Sequence, residues 1–133
     1  MELTNAQNVR NILASNFETL TSNACHYRNF PRQISVTALA SRELACLSQA
    51  NFAFQIGAID ANDYCRIRDL TNDLTTALKK LRKVYNADNY LSGQCMAITR
   101  AKGDVSGAIG LLNLYLERIK HYPGIHHTIL TTA

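Results

Sequence analysis

The chain has no tryptophan, only two prolines in 133 residues, and no apolar run near the ~20 residues needed to span a bilayer. The scarcity of proline leaves long stretches in which a helix meets no obligatory stop. Cysteine is equally uninformative as a framework. Cys25, Cys46, Cys65 and Cys95 stand singly with no Cys-x-x-Cys pair, so neither a zinc site nor a disulfide scaffold is indicated. They read as small apolar fillers, and no metal or cofactor is expected. A Gly-Lys-Ser/Thr phosphate loop, a His-Glu-x-x-His pair and a Gly-x-Ser-x-Gly elbow are all missing. The amino terminus, Met-Glu-Leu-Thr-Asn, lacks a basic stretch leading into an apolar one, so the expected location is the cytoplasm.

Charge is also sparse. Asp, Glu, Lys and Arg make up 18% of the chain against 47% hydrophobic residues, a balance that supplies a core and excludes intrinsic disorder. The net charge of +4 permits a polyanionic partner without demanding one. At this length a single domain buries roughly two-thirds of its unfolded surface, so one domain over residues 1–133 is expected.

What is present is helical periodicity. Leu91, Cys95, Ile98, Lys102, Val105, Ile109, Leu112, Leu116 and Ile119 alternate four and three apart, and only Lys102 breaks the apolar stripe. A preceding stripe runs through Ile67, Leu70, Leu74, Ala77, Leu81 and Val84. Closing a hairpin at 86–89 sets Val84 beside Leu91, Ala77 beside Ile98, Leu70 beside Val105, and Asp73 beside Lys102. The fold class that follows is all-α, an antiparallel bundle of four helices, or five if Gly103-Asp104 divides the last. The unchanged phase across Gly103 favours one helix.

Upstream, Thr4-Asn5-Ala6-Gln7 reads as a capping box for a first helix with Val9, Ile12, Leu13, Phe17 and Leu20 on its face. A loop is expected at about 22–34, within which Pro31 pushes Phe30 toward an extended conformation and blocks helix continuation. The second helix should start at Ser35 and run to about Gln55 or Ile56, where Gly57 suits a left-handed terminator and Asp60 caps the next helix. Val36, Leu39, Ala40, Leu44, Leu47 and Phe54 read as its broad apolar face, with Phe52 and Ile56 pointing elsewhere. Between Gln33 and Ile59 the only charges are Arg42 and Glu43, so this helix is either central or an oligomer interface. Pro123 and Gly124 should stop the last helix, leaving a flexible tail at about 123–133.

Function is written less plainly than fold. The leading expectation is a non-enzymatic interaction or regulatory protein that self-associates or binds a protein partner. Its partner-binding residues would be His26, Tyr27, Arg28, Phe30 and Arg32 of the loop, together with Phe52. The alternative is a nucleic-acid-binding regulator that uses Lys79, Lys80, Arg82 and Lys83, supplemented by Arg100 and Lys102. Cations near a helix C-terminus also serve the helix dipole, a purely structural role. Gly103-Asp104-Val105-Ser106-Gly107-Ala108 followed by Leu111 and Leu112 resembles the first half of a DNA-reading helix-turn-helix. The second half fails, because Asn113-Leu114-Tyr115-Leu116-Glu117 holds no turn. A small enzyme using Cys25 and His26 is a second alternative, although adjacency in sequence does not put a base on a thiol.

Overall fold

A computed structural model describes residues 2–86 and 92–121, which form four helices: α1 (Glu2–Asn29), α2 (Val36–Gln55), α3 (Ala61–Asn86) and α4 (Ser92–Lys120). Among the described residues there is no strand, and no helix is long and apolar enough to cross a membrane. Each helix packs on its neighbours in chain order, and α4 returns to α1. α1 also touches α3 across the bundle, whereas α2 and α4 do not meet. The cross-section is therefore a rhombus, with α1 and α3 on the short diagonal and α2 and α4 at the far corners.

The helix ends follow local chemistry. The Ser35 hydroxyl accepts from the Ala38 amide at 3.2 Å, and the Asp60 carboxylate accepts from the Asp63 amide at 2.8 Å. Each satisfies one of the orphan donors at a helix start. Gly57, at φ 80°, takes the left-handed turn between α2 and α3, where a side chain would be strained.

The amino-terminal expectations need two corrections. α1 begins at Glu2, ahead of Thr4, so the capping box is not the helix start. Gln7 instead donates to Asn11 Oδ1 at 3.0 Å and to the Lys120 carbonyl at 3.2 Å. The loop expected at 22–34 is helix as far as Asn29, followed by a short 3-10 turn, Pro31–Gln33. The reason is tertiary. Leu20, Thr21 and Ala24 continue the buried stripe beneath a polar outer surface, and the helix yields only one residue before Phe30-Pro31.

The core gathers Leu13, Phe17 and Leu20 from α1, Leu39 and Cys46 from α2, Ile67, Leu74, Leu78 and Leu81 from α3, and Val105, Leu112 and Leu116 from α4. Each large apolar side chain here contributes about 1.5–3 kcal/mol over its exposed state. α3 and α4 form the most extensive pair, as their stripes require. Leu70 and Val105 are buried, and the Tyr115 hydroxyl donates to Asp63, a contact within one helical turn of the expected register. The pairing of Val84 with Leu91 lies outside the described residues, as does the tail at 123–133. Asp73 and Lys102 are not among the described ion pairs. Lys102 lies four residues before Ser106, which accepts from Arg28 of α1, so helix phase turns this flank of α4 toward α1 rather than α3.

α4 runs unbroken through Gly103, which removes both the five-helix alternative and the helix-turn-helix reading. Gly103, Gly107 and Gly110 do not serve close packing against the described residues. A Cβ built at Gly103, Gly107 or Gly110 meets nothing within 4 Å.

Candidate interaction surfaces

Position at a far corner leaves α2 only half covered. Leu39, Cys46, Ala50 and Ala53 point inward, while Leu44 (69% exposed), Phe52 (54%), Val36 and Ile56 face outward. The broad apolar face expected from sequence is thus divided, with Leu44 and Ala40 on the solvent side. Both charges of α2 are kept off the centre of the outer face. The Glu43 carboxylate accepts from Thr75 Oγ1 of α3 at 2.9 Å, which turns it to the α3 flank. Arg42 lies about 160° round the helix from Leu44. Ser41, Leu44, Ser48 and Phe52 remain as a neutral stripe, a surface that loses little when water is removed.

The opposite corner carries a second apolar surface of different character. Between α3 and α4, a cavity of about 510 Å³ is lined by Leu70, Leu111, Leu114, Tyr115, Arg66 and Arg118, with Glu117 at its edge. Leu111 and Leu114 are well exposed, and Met96 is exposed farther up α4. Tyr115 is fixed from two sides. Its hydroxyl donates to the Asp63 carboxylate, and the Arg118 guanidinium lies over its ring, 5.5 Å from the centroid. Asp63 is buried, and desolvation raises its pKa against the opposing effect of the Tyr115 hydrogen bond. Burial likewise raises the Tyr115 pKa, and the neighbouring carboxylate adds to the shift.

The residues proposed from sequence as one binding loop do not form a single site with Phe52. His26, Tyr27, Arg28, Phe30 and Arg32 cluster at the junction of α1 with α2, whereas Phe52 lies near the far end of α2, about 24 Å along the helix from Val36. The His26 Nε2 pairs with Gln33 Oε1 at 2.6 Å, and its ring packs on Phe30 with centroids 4.9 Å apart. Arg28 donates to Ser106 Oγ of α4 at 3.0 Å, a structural tie. Cys25 is half-buried, and among the described hydrogen bonds His26 pairs with Gln33 rather than with Cys25. Cys46 is a core thiol: it donates to the Asn16 carbonyl at 3.7 Å, and burial pushes its pKa up to about 11. That makes it a poor nucleophile.

The basic residues are divided between two helices. Lys79, Lys80, Arg82 and Lys83 are all exposed and fall within about 160° of arc on the outer side of α3. On α4, exposed Arg100 and half-buried Lys102 are also about 160° apart, so those two point in different directions.

Among the buried polar residues, Arg10 and Asp63 make long-range ties that were not singled out by sequence. Arg10 is fully buried and donates to the Ala58 carbonyl at 3.1 Å and to Gln7 Oε1 at 3.0 Å, tying α1 to the α2–α3 turn. Burial lowers its pKa. Its signal was its place in the stripe Ala6, Arg10, Leu13, Phe17, whereas Ile12, counted on the apolar face, is 54% exposed. Asp63 lies in the first turn of α3, where an acid already complements the helix start, and that local role conceals its link to Tyr115 on α4. Comparison of the chain with protein-family models, with curated proteins and with solved structures finds no match.

Proposed function

We propose that this chain is a non-enzymatic helical interaction protein that associates with a second copy through the outer face of α2. The observation that carries the reading is the neutral stripe containing Leu44 and Phe52. Two α2 helices crossing antiparallel about a two-fold axis at Ser48 place Leu44 of each protomer against Phe52 of the other. The small serine at the crossing lets the helices approach, and no charge is desolvated at the centre of the contact.

Sedimentation velocity tests this directly. The unmodified chain is expected to dimerise, and Leu44→Glu or Phe52→Glu to yield monomers with unchanged helical circular dichroism, because both side chains are exposed. Mixing Leu44→Glu with Phe52→Lys should restore a dimer, since one contact then joins opposite charges and the other keeps the native pair. An unmodified chain that remains strictly monomeric at working concentrations rejects the proposal.

Nucleic-acid binding is the second reading. In its favour, Lys79, Lys80, Arg82, Lys83 and Arg100 are exposed and take no part in the described ion pairs. Replacing Lys79, Lys80, Arg82 and Lys83 with glutamine should then weaken binding to DNA or RNA and flatten its salt dependence. Unchanged affinity removes this site.

A further inference from the structure

We infer that the groove between α3 and α4 receives an acidic amphipathic helix from a different protein, laid along the outer face of α4. The inference rests on the preceding reading only in treating the chain as an interaction module, because it concerns the opposite corner of the bundle.

Leu70, Leu111 and Leu114 supply an apolar floor that no other described helix covers, and Met96 is exposed on the same side of α4, about 27 Å from Leu114 and beyond Arg100 and the glycines. That length matches a ligand helix of roughly 18 residues. The charges around the floor select its sign. Arg66 and Arg118 border the groove, while its acid, Glu117, lies 3.7 Å from Lys120 and 3.5 Å from His121. Farther up, exposed Asp73 and Lys80 lie on α3 and exposed Asp104 and Arg100 on α4, equal numbers of each sign. A helix with glutamates beside its apolar row therefore meets the exposed Arg66 and Arg118 guanidinium groups, the second of which also acts on buried Asp63. A second copy of α4 would instead bring Arg100 and Arg118 of both protomers to one seam, where like charges repel.

The glycines fit the same occupant. Gly103, Gly107 and Gly110 weaken α4 without admitting any neighbour among the described residues. The open space above them permits the close approach of an outside backbone.

The test uses the full chain carrying Leu44→Glu and fluorescence anisotropy, so failure of the α2 contact, read by sedimentation, stays separate. The probe is a labelled 18-residue helical peptide with leucines at alternating three- and four-residue spacing, flanked by glutamates. Its control carries lysines in place of the glutamates. The glutamate peptide should bind at least tenfold more tightly, with a preference that shrinks as salt rises. Leu114→Asp and Gly107→Leu should each weaken it at least tenfold while leaving helical circular dichroism intact. Equal affinity for the two peptides, or no saturable binding of the glutamate peptide, overturns the inference. So does a Leu114→Asp variant that lowers the sedimenting mass, which assigns the groove to a second copy. Saturable binding of a DNA duplex that blocks the peptide and disappears with Arg66→Gln and Arg118→Gln assigns it to a polyanion and equally overturns it.

Discussion

α2 and α4 occupy equivalent corners of the rhombus, out of contact with one another, yet their outward faces differ in kind. The α2 face is neutral, with Leu44 and Phe52 spaced by serine. The α4 face places Gly103, Gly107 and Gly110 between Met96 and the Leu111–Leu114 end, and carries Arg100 and Arg118 with Asp104 and Glu117 beside them. α3, on the short diagonal, shows the contrast from inside. It buries Ile67, Leu70, Leu74, Leu78 and Leu81 and turns its lysines outward, leaving none of the large exposed apolar side chains. Position in the bundle thus decides how much of a helix stays uncovered, and composition decides what the uncovered part can accept. A neutral face brings no like charges together when it meets its own copy, whereas a face that carries arginines can.

The strongest way to break this comparison is to truncate one leucine on each side of it. Leu74→Ala, at a fully buried position of α3, should cost about 2–5 kcal/mol, through lost transfer energy and the cavity left behind. Leu44→Ala in dilute protein should cost under about 0.5 kcal/mol, as surface changes do. Urea midpoints at constant slope give both numbers. Comparable losses would mean that Leu44 packs within the chain, and the corner description of α2 would fail.

A second, smaller effect sharpens the α4 side. Tyr115→Phe removes the hydroxyl that serves the buried Asp63 carboxylate and should cost about 1–3 kcal/mol near neutral pH. Its pH dependence has a defined sign. The Asp63 pKa is raised on folding, so the folded state binds this proton more readily than the unfolded chain. The group's contribution is greatest below the ordinary carboxylate range and is lost as pH rises through the raised folded value. Stability of the unmodified chain relative to Asp63→Asn should therefore fall as pH climbs from about 4 toward neutrality. Because the Tyr115 hydrogen bond holds the Asp63 pKa down, Tyr115→Phe should be more harmful at pH 7 than at pH 4. Thermal melts of the three proteins across that range provide the check, and parallel curves would remove Asp63 as the titrating group.

Legibility in the sequence followed the range of the interactions. Ser35, Gly57 and Asp60 act within four residues of themselves, and each was readable as punctuation. The stripes of α3 and α4 were readable because their period is long and their register is checked by each other. The end of α1 was not, since Ser22, Asn23, His26 and Arg28 look like loop composition, while the small Ala24 and the distant Ser106 that hold this turn give no local sign. Asp63 and Tyr115, like Arg10 and Ala58, meet only after the chain has folded back. Interaction faces were the least legible of all. Nothing local to Leu44, Phe52 or Leu114 says that α2 and α4 are the helices left at the corners.

The smallest expected effect is a gain. Gly107→Ala adds a methyl group where nothing lies within 4 Å, on an exposed face in the middle of α4. Alanine is favoured over glycine in a helix interior because the unfolded chain loses less backbone freedom on folding, by about 0.8–1 kcal/mol. The urea midpoint should rise accordingly, with no change in slope, and the dimer expected of α2 should be unaffected because the two corners do not touch. A glycine that could be improved this simply is not held there by the bundle's own packing. If Gly107→Ala instead destabilises the isolated chain, the glycine serves the fold itself, and the contrast between the α2 and α4 faces loses one of its supports.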